Sequence, residues 1–463
     1  MHSSRFYRRA VYCVIGAILL AIPATSSADW QDDIGWTALK AELGNQLEDG
    51  SWLSVAQVEA PSGGAYLPDS TLAEFLGKTF IDGTGTNVGS SSHATSVARN
   101  FYSNTNSIAP GITQITGYDA NDYINRVLGH TNGGDPLDQG FDIGSHSYIG
   151  NLADNSIAQD ILQRFDFVIN RDDSIMTVGV NNGSDKVTPD LLAHSYNAIS
   201  VGRSNGNHSR GATTFYGAGR FKPDIVAGDS ATSYTTPRVA GAAAILRQAA
   251  EGTNGTDSIT IRSVLFAGAT KDEFQDWSRT TTQPIDEVFG FGELNIYNSY
   301  HILQSGEFKG SKGLFGNDVA LLGWDSGRTD GINDLYYEFE ISAASPLEEL
   351  SVALTWNINV IDNDPSTDIF EASTELANLD LALLDSLGNV IDQSVSTVSN
   401  SEHIFLKDLD PGSYRFRVSG ASSTNFGLAW QINAIPEPGG GLLASVIFGF
   451  YLTRRRKAIV RQS

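Results

Sequence analysis

The sequence predicts an α/β unit over residues 29–305, a mostly parallel sheet flanked by helices, followed by an all-β sandwich over 335–434. Three observations predict it. Short β-rich runs alternate with helical ones as far as residue 305, the pattern of parallel strands joined by crossover helices. Beyond residue 334 apolar and polar residues alternate over strand lengths. A chain of 463 residues also exceeds one ordinary domain, and 41% hydrophobic residues with 47 glycines is too apolar for disorder and too glycine-rich to be mostly helix. The formal charge of −23 leaves no basic face for phosphate, so no nucleic-acid partner is expected.

Taken in order, Arg5, Arg8 and Arg9 precede the apolar run 11–22 and the small residues Ser26-Ser27-Ala28. That is a signal peptide over 1–28, with cleavage before Asp29, and its apolar run is short for a bilayer span. The single cysteine, Cys13, leaves with it, which excludes disulfides from the mature protein. A helix is expected at 36–43 and a strand at 52–60. Further strands are expected at 141–143, 174–180, 197–202 and 224–227, with helices at 94–102, 156–164 and 237–250. Pro237 is placed in the first turn of the last helix, where its missing N–H costs nothing. Residues 306–334 read as a linker. In the sandwich, strands are expected at 335–342, 350–358, 379–384 and 413–418, with turns at Asp385-Ser386-Leu387-Gly388-Asn389 and Asp410-Pro411-Gly412. The tail 435–463 carries Pro436-Glu437-Pro438, a short apolar run 442–452 as a transmembrane segment, and a basic stop at Arg454-Arg455-Arg456-Lys457.

Four segments carry chemistry, and each has an ordinary structural use when taken alone. Ser92-His93-Ala94-Thr95-Ser96-Val97-Ala98 sets a histidine at the opening of a helix. The run 231–246 puts Ser233 at a helix N-terminus, where N–H groups stabilise a developing negative charge; a serine there is also a common N-cap. Val180-Asn181-Asn182-Gly183 ends a strand with an amide able to face a carbonyl oxygen, or simply forms a turn. The strand 54–60 ends on Glu59, a carboxylate able to orient an imidazole.

Together these segments resemble the subtilisin-like serine peptidases, whose chain order is acid, histidine, oxyanion asparagine, serine. Here that order is Glu59, His93, Asn181, Ser233. The family's His-Gly-Thr-x-Val-Ala is matched from His93 to Ala98, and its Gly-Thr-Ser-Met-Ala-Thr-Pro-His-Val-Ala-Gly from Ala231 to Gly241. The resemblance implies a subtilisin-like sheet, with Ser233 as nucleophile, His93 as base and Glu59 as its orienter. It further implies Asn181 in the oxyanion hole, and Ser145, Ser147 and Gly150 along the substrate cleft. The implied partner is a protein or peptide substrate.

The chain departs from the family at several points. The acid is glutamate rather than aspartate, alanines stand at 94 and 231 in place of glycines, and Arg238 replaces a histidine. Residues 29–54 are too few for the inhibitory pro-domain that many secreted members carry. These departures keep a second expectation open, an inactive scaffold acting as a surface or matrix binding protein. An α/β-hydrolase esterase fits poorly, since that fold expects a Gly-x-Ser-x-Gly elbow and the order serine, acid, histidine, whereas here the serine comes last.

The tail resembles the PEP-CTERM sorting signal, which implies export, an exosortase-type processing partner, and transient inner-membrane association before processing. The segment 335–434 resembles the pre-peptidase C-terminal domain, an accessory module. Asp362, Asp364 and Asp368 offer oxygens to a structural calcium, but they lack the spacing of a calcium loop, so no metal or other cofactor is assigned.

Overall fold

The structure, a computed structural model, describes residues 30–313, 316–343 and 347–434; the expected signal peptide and sorting tail lie outside the described residues. Seven strands form the first sheet: β1 (Ser54–Glu59), β2 (Thr79–Asp82), β3 (Gln114–Asp119), β4 (Ile143–His146), β5 (Ile175–Gly179), β6 (Ile199–Arg203) and β7 (Ile225–Ala227). Their spatial order is β2-β3-β1-β4-β5-β6-β7, and every pairing is parallel. The chain first builds one way from β1, then returns and builds the other way. In such sheets the crevice beyond the carboxyl ends of the strands, beside the point of reversal, is the natural place for a site.

Helices cover the sheet: α1 (Trp36–Leu43), α2 (Ser92–Phe101), α3 (Asn155–Asp172), α4 (Thr232–Ala249), α5 (Ser258–Gly268) and α6 (Ile296–Gln304). Helix α4 runs through the core, with every residue from Thr235 to Leu246 buried. Its small residues permit this. A side chain added at Gly241 would already touch the Phe101 carbonyl at 3.5 Å, and one at Gly179 of β5 would lie 3.0 Å from Thr236 Oγ1. Two strands, β2 and β3, and two helices, α5 and α6, carry too weak a pattern to be read from the sequence.

The start of α4 differs from expectation. The helix begins at Thr232, and Pro237 lies inside it rather than in its first turn. The Thr232 N–H is capped from another element, by Asn182 Oδ1 at 2.9 Å, so the chain becomes helical five residues before the proline. Lacking an N–H, Pro237 leaves the Ser233 carbonyl without its usual intrahelical donor.

The second unit stacks a five-stranded sheet on a four-stranded one. The latter contains β8 (Leu322–Arg328), β10 (Leu347–Trp356), β13 (Ser401–Lys407) and β15 (Asn425–Ala434), in the order β8-β15-β10-β13. The former holds β9 (Leu335–Ile341), β11 (Leu379–Asp385), β12 (Val390–Ser394) and β14 (Gly412–Gly420), with the two-residue strand Asn317–Asp318 paired at its edge beside β9. Trp356, Trp430, Tyr337 and Phe416 fill the space between them.

The expected linker 306–334 is corrected here. It supplies β8, paired along its whole length with β15, and buried Trp324 bonds through Nε1 to the Leu303 carbonyl at 2.8 Å. That strand was obscured in sequence because Gly323, Ser326 and Gly327 break the apolar alternation.

The four-stranded sheet is buried on both faces. Val352, Leu354 and Trp356 point into the sandwich, while Ala353 and Ala429 join the core of the first unit. Buried Arg262 of α5 bridges the two units, donating to the Asn197 carbonyl at 2.8 Å and the Trp356 carbonyl at 2.5 Å. Gly427 permits the close approach, since a Cβ there would lie 2.6 Å from the Ile259 carbonyl. Gly427→Ala is therefore expected to force strand and helix apart and to cost about 1–3 kcal/mol. Thermal unfolding checks this, and an unchanged midpoint would mean that the contact yields freely.

Candidate active site

Glu59 is the last residue of β1 and is fully buried at the carboxyl edge of the sheet. His93 lies in the first turn of α2, whose N-cap Ser91 accepts from the Ala94 N–H at 3.3 Å. The two meet: His93 Nδ1 donates to Glu59 Oε2 at 2.6 Å, with the imidazole 42% exposed and the carboxylate 0%. The acid is thus sealed beneath a base whose far side is open. Glu59's other oxygen accepts from Gln57 Nε2 at 2.8 Å.

Helix α4 lies beside α2, its Arg238 Nε donating to Asn100 Oδ1 at 2.9 Å. The ring of Tyr234, next to Ser233, has its centroid 6.5 Å from that of His93. Ser233, half-buried, precedes Tyr234 in the first turn of that helix. His93 Nε2 and Ser233 Oγ make no hydrogen bond among the described residues; such bonds tighten when substrate arrives. Within the first turn of α4, Asn182 takes the Thr232 N–H and the Ala231 carbonyl takes that of Tyr234, while the Ser233 N–H has no partner among the described residues.

Asn181 follows β5. Its backbone exchanges bonds with Ser209, the N–H donating to Ser209 Oγ at 2.9 Å, and its side-chain amide has no partner among the described residues. Through its neighbour Asn182 it is tied to the turn that bears Ser233. Asn182 went unrecognised in the sequence, since an Asn-Asn-Gly turn gives no sign of which amide points where. Gln57 was missed as well, although a polar residue between Ala56 and Val58 in a buried strand was a legible signal.

The expected cleft residues divide. Ser145 is fully buried inside β4, paired with Gln57 on one side and Thr177 on the other. Ser147 lies just past the strand end and is buried too. Gly150 lies on the irregular segment beyond, with its carbonyl occupied by the Leu191 N–H at 3.0 Å.

The departures from the family pattern are accommodated. Ala231 is extended at φ −149°, a conformation open to any residue. Arg238 bonds the Gly228 carbonyl and the Asp229 carboxylate and stacks 4.2 Å from the Trp30 ring centroid, pinning the short connection that leads to Ser233. Asp69 spends its carboxylate on Thr71, away from the imidazole.

Burial pushes the Glu59 carboxyl up, and the bond and charge of His93 pull it back. The same bond raises His93 above the usual histidine range, against the pull of its partial burial. By contrast, solvent-free His146 at the end of β4 is pushed down to about 3 and stays neutral. Among the described residues no group of three or more His, Cys, Asp or Glu side chains is placed to hold a metal ion. An oriented base, a hydroxyl on the adjoining helix and unpaired donors are groups that nucleophilic acyl transfer uses.

No family model and no curated protein matches this chain. Solved structures do. A serine protease of Aeromonas sobria is similar at 13% identity and a TM-score of 0.39, covering 83% of this chain and 88% of that one. Fervidolysin from Fervidobacterium pennivorans, a keratinolytic enzyme related to subtilisin, is similar at 12% identity and 0.39, covering 87% and 76%. The pre-peptidase C-terminal domain of a Bacillus anthracis collagenase is similar at 12% identity and 0.18, covering 25% of this chain and 93% of that one.

Proposed function

We propose that the protein is an exported serine endopeptidase of subtilase type that hydrolyses protein amide bonds through an acyl-enzyme on Ser233. The observation that carries this reading is the 2.6 Å bond from a half-open His93 to a sealed Glu59, with Ser233 on the adjoining helix turn.

His93 Nε2 takes the proton from Ser233 Oγ as the oxygen attacks the scissile carbonyl. The Nδ1–H, held by Glu59, keeps the tautomer that leaves Nε2 free to accept, and the carboxylate stabilises the imidazolium that forms. The oxyanion lies against the Ser233 N–H and the Asn181 amide, one such donor being worth on the order of a hundredfold in rate. His93 then protonates the leaving amine, and water repeats the sequence to release the acid.

In this reading the signal peptide directs export, and the tail holds the protein at the inner membrane until an exosortase-type enzyme processes it. The sandwich serves as an accessory module.

Reaction of the purified mature protein with a fluorophosphonate probe, mapped by digestion and mass spectrometry, tests the chemistry. Modification at Ser233 is expected. A folded protein that takes no label would be read instead as an inactive scaffold, and its sandwich would become the object of binding assays.

A further inference from the structure

We infer that Gln57 is a positioning residue of this site, holding the longer carboxylate of Glu59 in the plane and direction that His93 requires. The inference rests on the reading of Glu59 and His93 as orienter and base.

Gln57 lies in β1 with its backbone between Gly117 of β3 and Ser145 of β4, and it is 1% exposed. An amide in that place costs free energy unless each polar atom is paired. Both groups that its nitrogen reaches belong to the site. Its Nε2 donates to Glu59 Oε1 at 2.8 Å and to the Ala94 carbonyl, next to His93, at 2.9 Å; its Oε1 accepts from the hydroxyl of fully buried Tyr102. The Ala94 carbonyl can only accept, which puts the nitrogen toward it and the oxygen toward Tyr102, so the amide orientation follows from chemistry.

Alternate residues of a strand share a face, so Gln57 and Glu59 both point at α2. A glutamate has one more rotatable bond than an aspartate, and a carboxylate held by one oxygen would swing. Here His93 holds one oxygen and Gln57 the other. The same amide clamps the turn that carries the histidine, fixing acid and base to one side chain.

The test uses Gln57→Met/Tyr102→Phe, a near-isosteric pair that removes the amide without stranding the tyrosine hydroxyl. The His93 pKa is read by NMR of histidine-labelled protein in a Ser233→Ala background, and kcat and KM are read with Ser233 present. Freed of that anchor, the carboxylate should swing out of line with Nδ1, and the weakened Glu59–His93 bond should lower the His93 pKa by about one unit. It should also lower kcat about tenfold or more with KM little changed. Tyr102→Phe alone, which keeps both donor bonds of the amide, should shift the pKa much less. If the double variant does not fold, Gln57→Met alone carries the same readouts.

An unchanged His93 pKa and kcat in a folded variant would overturn the inference. A wild type without peptidase activity whose His93 pKa still drops in the variant would retain the role of Gln57 and dismiss the peptidase reading.

Discussion

Replacing Ser233 with alanine is expected to lower amide hydrolysis by about 10⁴–10⁶-fold and to abolish fluorophosphonate labelling, while leaving the unfolding midpoint where it was. The proposed attack needs an oxygen at that position, and the methyl group of alanine offers none. The rate that survives would come from the Ser233 N–H and the Asn181 amide, which still polarise a bound carbonyl. Stability should hold for a separate reason. Ser233 Oγ has no hydrogen-bond partner among the described residues, so its removal leaves nothing unsatisfied, and alanine is the better helix former. Assay of a quenched fluorescent peptide library beside a melting curve reads both effects. Hydrolysis within tenfold of wild type would remove Ser233 as the nucleophile.

Glu59→Gln is expected to lower kcat/KM by about 10⁴-fold in a protein that still folds. A glutamine can present either its nitrogen or its oxygen to His93 Nδ1, and the wrong choice protonates Nε2 and disables the base. It also withdraws the charge that stabilises the imidazolium.

The pH profile separates these effects from simple misfolding. The neutral imidazole is the working base, and the Glu59 bond raises its pKa, so the acid limb of the wild-type kcat/KM profile should lie above the ordinary histidine value of about 6.5. In the variant the limb should fall back toward or below that value. The same shift links to stability with a fixed sign. A raised folded pKa means that protonated His93 stabilises the native state below the unfolded value, and that this contribution disappears as pH rises through the folded one. A limb unmoved by the substitution would mean that the carboxylate does not govern the base.

Much of the site was legible because its parts fall at strand ends and helix starts, which local pattern locates. Glu59, His93 and Ser233 were each named, and Glu59 and His93 are directly bonded. The burial of Ser145 was not legible, because resemblance conveys a position along the chain but not which way a strand residue faces, and here strands pair with it on both sides. The early start of α4 was hidden for a similar reason, its cap coming from Asn182, 50 residues away.

The sequence by itself determined the alternation of strand and helix, the change to all-β, and the order of the chemical groups. These follow from side-chain periodicity and from residue types, which are local. Only the tertiary structure decided how the two units meet. Along β10 the residues between the large apolar ones are Ser351, Ala353 and Thr355, which read in sequence as a solvent face. They are small because α5 packs on them, with Ala353 and Ala429 closing the core of the first unit. A small residue fits exposure or close contact equally well, and the choice is made by what the rest of the chain brings against it.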